Sequence, residues 1–219
     1  MHYFDYCAPD NLQEAVTLKA THSGSANLLA GGTDLIVLMR ARRKRPKLLI
    51  DGKRIPELTQ ITFNNTGLIL GAAVSCRDIS EHPQIAEIFP ALVDSTTLIG
   101  GIQIQGRATV GGNLCNAAPS ADTIPTLIAY GAVAHIVSHN GNRQVPVEEF
   151  CVAPGQTVLK DNEILVNIFI PAPASHTGAK FLRFIPRNEM DIAVANVTGL
   201  VELDESGNGF RAARIAIGA

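Results

Sequence analysis

Helical and extended patterns alternate along the first quarter of the chain. The capping-box motif Asn11-Leu-Gln-Glu14 predicts the start of a helix. An apolar run at residues 27–30 predicts a short buried strand that ends at a Gly-Gly pair. A helix at 34–41 follows, and Pro46 then favours extended chain into a strand at 47–50. The order of these elements is typical of a small βαβ-like unit.

Two hairpins and several helices are predicted in the middle of the chain. Asn64-Asn-Thr-Gly67 has the residues that a tight turn needs. The predicted hairpin strands are 60–63 with 68–70 and 132–138 with 143–147, and the predicted helices are 76–82, 84–99 and 121–129. Residues 100–119 are rich in Gly, Asn, Ala and Pro and lack periodicity. They predict a long structureless loop, and loops of that length are usually functional.

Residues 171–178, with the sequence PAPASHTG, have the composition of a linker. Strand patterns follow at 180–185, 193–203 and 210–217. Only 41 residues follow Gly178, too few for an independent core without crosslinks. We therefore expect further chain or a partner chain to complete this second unit.

The amino-acid composition favours a globular protein and argues against some classes of partner. Apolar residues make up 46% and charged residues 17%, as in a globular protein. The net charge of −2, with aromatic residues at 5% and no Trp, argues against a nucleic-acid partner. The four cysteines are scattered without a CxxC pair, which predicts reduced thiols and a cytoplasmic protein. No signal peptide and no apolar run of about 20 residues is present, so we expect no membrane span.

Two Gly-Gly pairs each follow an apolar, strand-like run. They stand in Leu28-Leu-Ala-Gly-Gly-Thr-Asp-Leu35 and in Thr109-Val-Gly-Gly-Asn113. Successive backbone N–H groups at such turns can bind a phosphate, and a Cβ would obstruct both a positive φ and the approach of phosphate oxygens. A single motif is more often a plain βα turn, but two of them suit a diphosphate held from both sides. The sequence contains no GxGxxG and no Gly-Lys-Ser/Thr, so it lacks the Rossmann and Walker motifs.

These segments resemble those of a known family. Ala30-Gly-Gly-Thr-Asp34, Thr109-Val-Gly-Gly-Asn113, Asn116-Ala-Ala-Pro-Ser-Ala-Asp122 and Met190-Asp-Ile-Ala193 stand in this order. The sequence is similar to the FAD-binding subunit of molybdenum hydroxylases, the xanthine dehydrogenase and carbon monoxide dehydrogenase medium-subunit family. The resemblance covers essentially the whole chain.

The resemblance implies an α+β fold in two parts. Residues 1–172 would form a two-subdomain α/β FAD-binding domain of the vanillyl-alcohol-oxidase/PCMH type, with subdomains at about 1–55 and 56–172. Residues 177–219 would begin a small α+β C-terminal domain that is incomplete here.

The resemblance also implies which residues bind FAD, with the glycine segments wrapping its pyrophosphate. The implied cofactor-binding residues are Leu28, Leu29, Ala30, Gly31, Gly32, Thr33, Asp34, Leu35, Thr109, Val110, Gly111, Gly112, Asn113, Asn116, Asp122, Leu165 and Arg183. Arg183 stands where many relatives have lysine, and a cation there would stabilise negative charge on the reduced flavin. The cysteine-rich insert of the benzoyl-CoA reductase branch has no counterpart in the sequence, so we expect no metal on this chain. The six histidines stand in no Ser-His-Asp or Cys-His motif, so we expect no catalytic residue either.

The resemblance implies that this chain works as one subunit of a heteromeric complex. The family carries electrons from a molybdenum site on a large molybdopterin-binding subunit, through [2Fe-2S] clusters on a small subunit, to FAD and then to NAD+ or another acceptor. A dimer of heterotrimers is the implied assembly. Two alternatives stay open: a self-sufficient FAD-dependent reductase of the same fold, and a cofactor-free assembly module.

Three further features have more than one interpretation. Six of the eight residues from Arg40 to Lys47 are basic, which fits nucleic acid or adenine–ribose phosphates but is more typical of a solvated helix end or a docking patch for an acidic subunit. His135 and His139 would be metal ligands on a helix, whereas their strand-like surroundings favour hairpin positions. Cys115 is either a reactive thiol or a small packed side chain.

Overall fold

The structure, a computed structural model, describes residues 2–187 and 190–218. The strands are β1 (Asp5–Cys7), β2 (Ala26–Leu29), β3 (Leu48–Asp51), β4 (Ile61–Asn64), β5 (Gly67–Gly71), β6 (Val133–Ser138), β7 (Gly141–Pro146), β8 (Cys151–Ala153), β9 (Gln156–Thr157), β10 (Ile164–Pro171), β11 (Thr177–Phe184), β12 (Ala195–Leu203) and β13 (Phe210–Gly218). The α-helices are α1 (Leu12–Thr21), α2 (Leu35–Arg40), α3 (Pro56–Thr59), α4 (Cys76–Ser80), α5 (Pro83–Ile88), α6 (Pro90–Thr96), α7 (Ile102–Gln105), α8 (Val110–Asn116), α9 (Thr123–Ala129) and α10 (Val147–Phe150). Mixed helix and sheet of this kind confirms the predicted fold class.

A parallel three-stranded sheet forms the N-terminal part, in the order β1-β3-β2. Strands β2 and β3 pair in parallel through Leu28 and Ile50, which confirms the predicted βαβ-like unit. The Asn11 side chain accepts a hydrogen bond from the Glu14 N–H at 2.9 Å and so begins α1 where the capping box predicts. The glycine turn at residues 30–34 leaves this sheet at the end of β2.

A five-stranded antiparallel sheet follows, in the order β4-β5-β10-β6-β7. It contains both predicted hairpins. Its central strand, β10, was not predicted, because an almost continuous apolar run does not show the alternation of a half-buried strand. Ile168 and Ile170 of β10 are completely buried. The apolar core is continuous from Ala15 to Phe181 and joins the two sheets.

Two predictions for the helical middle of the chain are wrong. The single helix expected at 84–99 is divided into α5 and α6 at Pro90, because proline has no N–H for the helical ladder. The loop expected at 100–119 contains α7 and α8, because α7 is only four residues long and the glycines of α8 hide its helical pattern. Among the described residues, no helix has both the length and the hydrophobicity needed to cross a membrane.

The last three strands form an antiparallel sheet in the order β11-β12-β13, as their sequence patterns predict. One face carries Phe181, Thr198 and Ala216, which are cross-strand neighbours and buried. This face packs on α6 and α9. The other face leaves large apolar side chains such as Ile217 exposed.

Candidate functional site

The first glycine segment turns tightly after β2 and packs so closely that no side chain would fit at Gly31. A Cβ there would overlap the carbonyl oxygen of Arg107. Gly32 has a φ of +77°, which glycine adopts without the steric cost that other residues meet. Asp34 then stands at the N-cap position of α2. The turn is therefore in backbone contact with residues just before the second glycine segment.

The second glycine segment forms the first turn of α8. The Thr109 hydroxyl accepts a hydrogen bond from the Gly112 N–H at 2.9 Å, and a Cβ on Gly111 would overlap the carbonyl oxygen of Ala72. The Asn113 side-chain oxygen accepts from the Thr123 hydroxyl at 2.6 Å, which ties α8 to α9. The Gly111 N–H, at the start of the helix, has no acceptor within it and can donate to an anion, whereas the Gly112 N–H is already bonded to Thr109.

Both glycine segments line one cavity of about 770 Å³, within the range of roughly 300–1,000 Å³ that ligand sites occupy. A third wall comes from residues 155–157, 159–161 and 163–165, around β9 and the start of β10. The predicted site residues that line the cavity are Leu28, Ala30, Gly31, Gly32, Thr33, Asp34, Leu35, Thr109, Gly111, Gly112, Asn113, Asn116 and Leu165. Segments far apart in sequence thus meet around a single space.

Four predicted residues lie outside the lining of this cavity: Leu29, Val110, Asp122 and Arg183. A Cβ on Gly32 would touch the Leu29 side chain, so Leu29 packs against the turn. Val110 is 1% exposed and belongs to the core. Both residues support the glycine segments from behind.

Asp122 and Arg183 pair with each other, with 3.1 Å between Oδ2 and the guanidinium. Burial raises the pKa of Asp122, and the Arg183 charge acts in the opposite direction. The guanidinium also donates to the Leu98 carbonyl oxygen at 2.8 Å, one residue before Ile99, which lines the cavity. The pair therefore holds the chain that forms this part of the wall.

Glu163 is held in the third wall by Arg143 of β7. The guanidinium donates to both carboxylate oxygens at 2.8 Å, and the Lys160 N–H donates to one of them at 2.8 Å. These hydrogen bonds, those from Arg143 first, lower the pKa of Glu163. The pair fixes the approach of the chain to Leu165.

Several cavity residues were missed by sequence reasoning. Ile99, Lys19, Lys44, Gln156 and Asp161 line the space. Lys44 belongs to the basic run that the sequence analysis singled out, whereas the others carry no signal beyond their residue type. Cys115 also lines the cavity, and His135 and His139 occupy β6 and the turn after it. In residues 2–187 and 190–218, no group of three or more His, Cys, Asp or Glu is placed to hold a metal ion.

The lining fits an extended dinucleotide. The glycine segments bring backbone donors to its walls, while Leu28, Leu35 and Leu165 add apolar surface for rings. The polar side chains Thr33 and Asn113 lie between these features and can orient a ligand.

Known proteins share both the sequence and the fold. The model of the family described as "FAD binding domain in molybdopterin dehydrogenase" matches residues 2–173. A xanthine dehydrogenase FAD-binding subunit of Escherichia coli O157:H7 is 34% identical over 218 residues, 99% of this chain and 74% of the relative. The carbon monoxide dehydrogenase medium chain of Hydrogenophaga pseudoflava is 34% identical over 214 residues, 98% of this chain and 74% of the relative.

Solved structures agree. A chain of carbon monoxide dehydrogenase from Hydrogenophaga pseudoflava superposes with a TM-score of 0.93 at 33% identity, covering 99% of this chain and 75% of that one. A chain of quinoline 2-oxidoreductase from Pseudomonas putida 86 gives a TM-score of 0.91 at 30% identity, covering 100% and 75%. Since the family match spans most of the sequence and the glycine-walled cavity suits the cofactor, this chain belongs to the family of FAD-binding domains in molybdopterin dehydrogenases.

Proposed function

We propose that this chain is the FAD-carrying electron-transfer subunit of a molybdenum hydroxylase complex. The observation that carries the proposal is the meeting of two glycine segments on one cavity of about 770 Å³ in a member of an FAD-binding family. Bound FAD accepts electrons and passes them on, while the protein supplies binding, orientation and electrostatics. The FAD-binding domain in this proposal is residues 1–172, and 177–219 begin a second domain.

The residues of the chain take distinct parts in holding the cofactor. The segments from Leu28 to Leu35 and from Thr109 to Asn113, with Asn116, are proposed to enclose the pyrophosphate, since their backbone donors flank the cavity. Leu165 is proposed to contact the adenosine or flavin portion from the third wall. Asp122 and Arg183 are also proposed cofactor contacts. Arg183 of this ion pair donates to the Leu98 carbonyl oxygen, and the next residue, Ile99, lines the cavity.

The proposed partners are a molybdopterin-binding large subunit and a [2Fe-2S] small subunit, assembled as a dimer of heterotrimers in the cytoplasm. The proposal is supported by relatives that are themselves single subunits, such as a carbon monoxide dehydrogenase medium chain. The proposed electron acceptor is NAD+ or another external acceptor.

An absorption spectrum of the purified chain, before and after denaturation, tests cofactor binding. We expect the spectrum of an oxidised flavin and the release of one FAD per chain. A colourless protein that fails to take up added FAD, alone and with its partner subunits, would refute the proposal.

A second experiment separates the electron-transfer subunit from a self-sufficient reductase. The FAD-loaded chain alone and the assembled complex are each mixed with the hydroxylase substrate and NAD+, and NADH formation is followed. We expect NAD+ reduction by substrate only in the complex. Turnover of an organic substrate by the chain alone would favour the reductase alternative.

A further inference from the structure

The basic run at residues 40–47 does not face in one direction. After α2 the chain turns through Arg42, whose φ is +60°, and the N–H groups of Arg43 and Lys44 donate to the Leu38 carbonyl oxygen at 2.9 and 3.2 Å. Leu38 and Lys44 both line the cavity, whereas Arg43 does not. This turn therefore separates Lys44 from its basic neighbours.

Lys19 of α1 lines the same cavity. It is only 9% exposed, and its Nζ donates to the Ala26 carbonyl oxygen at 2.6 Å, at the start of β2. Burial lowers the pKa of Lys19, Asp161 raises it, and the Lys44 charge lowers it less strongly. Asp161 therefore offsets part of the cost of burying this ammonium group, and an anion in the cavity shared by Lys19 and Lys44 would offset more of it.

Lys44 opens onto the same space as the second glycine segment. Cys115 belongs to α8, two residues beyond Asn113, and is exposed. Lys44, Asn113 and Cys115 all line the one cavity. A ligand that lies along this face of α8 is therefore within the space that Lys44 borders.

The cavity lining contains three lysines, Lys19, Lys44 and Lys160, and three acids, Asp34, Asp161 and Glu163. Glu163 is neutralised by Arg143, which is not part of the lining. The lining therefore has an excess of positive charge, which a dinucleotide pyrophosphate with its negative charges would balance.

We propose that Lys19 and Lys44 form an anion subsite that binds a phosphate of the FAD pyrophosphate. The glycine segments supply neutral backbone donors, and the lysine pair supplies positive charge, which those turns do not carry. The subsite rests on the proposed function, since it needs FAD as the ligand. It also gives Lys44 a role distinct from the rest of the basic run.

The dissociation constant of FAD tests the subsite. Apoprotein of the complete chain, in its complex if the subunits purify together, is titrated with FAD while flavin fluorescence is followed. Lys44→Gln is expected to weaken FAD binding about 10-fold at low salt, as for the loss of one charged hydrogen bond. The difference should shrink between about 50 mM and about 500 mM NaCl, because salt screens an exposed charge.

Arg43→Gln is the matched control, since it removes the same charge one residue away but outside the cavity lining. It should bind FAD as the wild type does, and Lys44→Arg should retain most of the affinity. Lys19→Met, checked for folding by circular dichroism, should also weaken FAD binding.

The outcomes separate the two proposals. If the wild type binds FAD and Lys44→Gln binds it as tightly as Arg43→Gln does, the subsite is refuted and the cofactor assignment stands. If the loss is the same at both salt concentrations, Lys44 acts through packing and the subsite is again refuted. If the wild type itself takes up no FAD, both proposals fail.

Discussion

Gly31 controls the contact between the two glycine segments. Its missing Cβ lets the first segment lie against the carbonyl oxygen of Arg107, and Gly111 does the same against Ala72. Of the residues in the two Gly-Gly pairs, only Gly32 has a positive φ. Close approach of backbone to backbone, as well as approach of a ligand, therefore explains why glycine is needed at these positions.

Gly31→Ala should destabilise the fold and empty the flavin site. The new methyl group overlaps backbone, which cannot rotate away, and overpacking of this kind costs about 1–3 kcal/mol. Urea unfolding and the FAD content of the purified protein measure the two effects.

Gly106→Ala is the control for this change. It has open space at its Cβ position and a helical φ of −70°, so alanine there should be neutral or stabilise by about 0.5 kcal/mol. Equal stability and equal FAD content in the two variants would contradict the overlap argument.

At the scale of elements, two polar junctions join distant parts of the chain, and the second of them holds the third wall of the cavity. Thr126 of α9 and Thr198 of β12 share a hydrogen bond of 2.9 Å between their hydroxyls, and both are completely buried. Arg143 of β7 reaches Glu163 just before β10. Each junction joins segments that are distant in sequence, so each is sensitive to the loss of one partner.

Removing one hydroxyl from the threonine pair should cost more than removing both. Thr198→Val leaves the buried Thr126 hydroxyl unpaired, which costs about 1–3 kcal/mol, while the double variant Thr126→Val/Thr198→Val should be nearly neutral. Free energies of unfolding for the four proteins give the coupling directly. Strictly additive losses would show that the hydroxyls do not depend on each other.

The Arg143–Glu163 pair should make stability depend on pH. The pKa of Glu163 is lower in the folded chain than its unfolded value of about 4.3. The stabilisation is therefore complete above about pH 4.3 and is lost as the pH falls through the folded pKa. Arg143→Met should reduce the free energy of unfolding by about 2 kcal/mol at neutral pH, a value discounted because Arg143 is one-third exposed.

The loss in Arg143→Met should be smaller in acid, below the folded pKa of Glu163, than at neutral pH, because the carboxylate is then protonated. Arg77→Met is the matched control, because Arg77 and Glu81 form an ion pair that is exposed on both sides and contributes little. Urea unfolding at the two pH values compares the variants. A loss that is independent of pH would indicate that Arg143 contributes by packing alone.

At the scale of the whole molecule, the cavity lies between two sheets joined by one apolar core. Its walls come from the turn after β2, from α8 and from the chain around β9 and β10. A ligand that contacts all three walls links the parallel and antiparallel sheets. Binding should therefore stabilise the chain as a unit.

FAD should raise the thermal unfolding temperature of the apoprotein in a concentration-dependent way. A ligand that binds only the folded state stabilises by about 2.7 kcal/mol at 100 times its dissociation constant. Thermal scans with FAD and with riboflavin at equal concentrations measure the shift, and riboflavin, which lacks the pyrophosphate, should give a smaller one. Equal shifts for the two ligands would contradict phosphate binding by the glycine segments.

Local sequence patterns predicted the structure correctly where the stabilising contacts are between residues close together in the chain. The Asn11 cap, the turn before Gly67 and the pairing of β6 with β7 depend on residues within a few positions, and all were predicted. The helix break at Pro90 was not predicted, because the apolar periodicity continues across this one proline. The helix α8 was not predicted, because glycine has a low helical propensity. The packing of Gly111 on Ala72, a distant contact, compensates for that propensity.

The amino-acid sequence alone specifies the turns, the hairpins, the two glycine segments and the positive charge near them, since these depend on backbone freedom and residue type. The packed chain decides that both segments face one cavity, that Lys44 and not Arg43 lines it, and that Arg183 pairs with Asp122. The physical reason is that the neighbours of a side chain in the folded protein are set by contacts between segments distant in sequence, such as Asp122 and Arg183. No local pattern encodes such contacts.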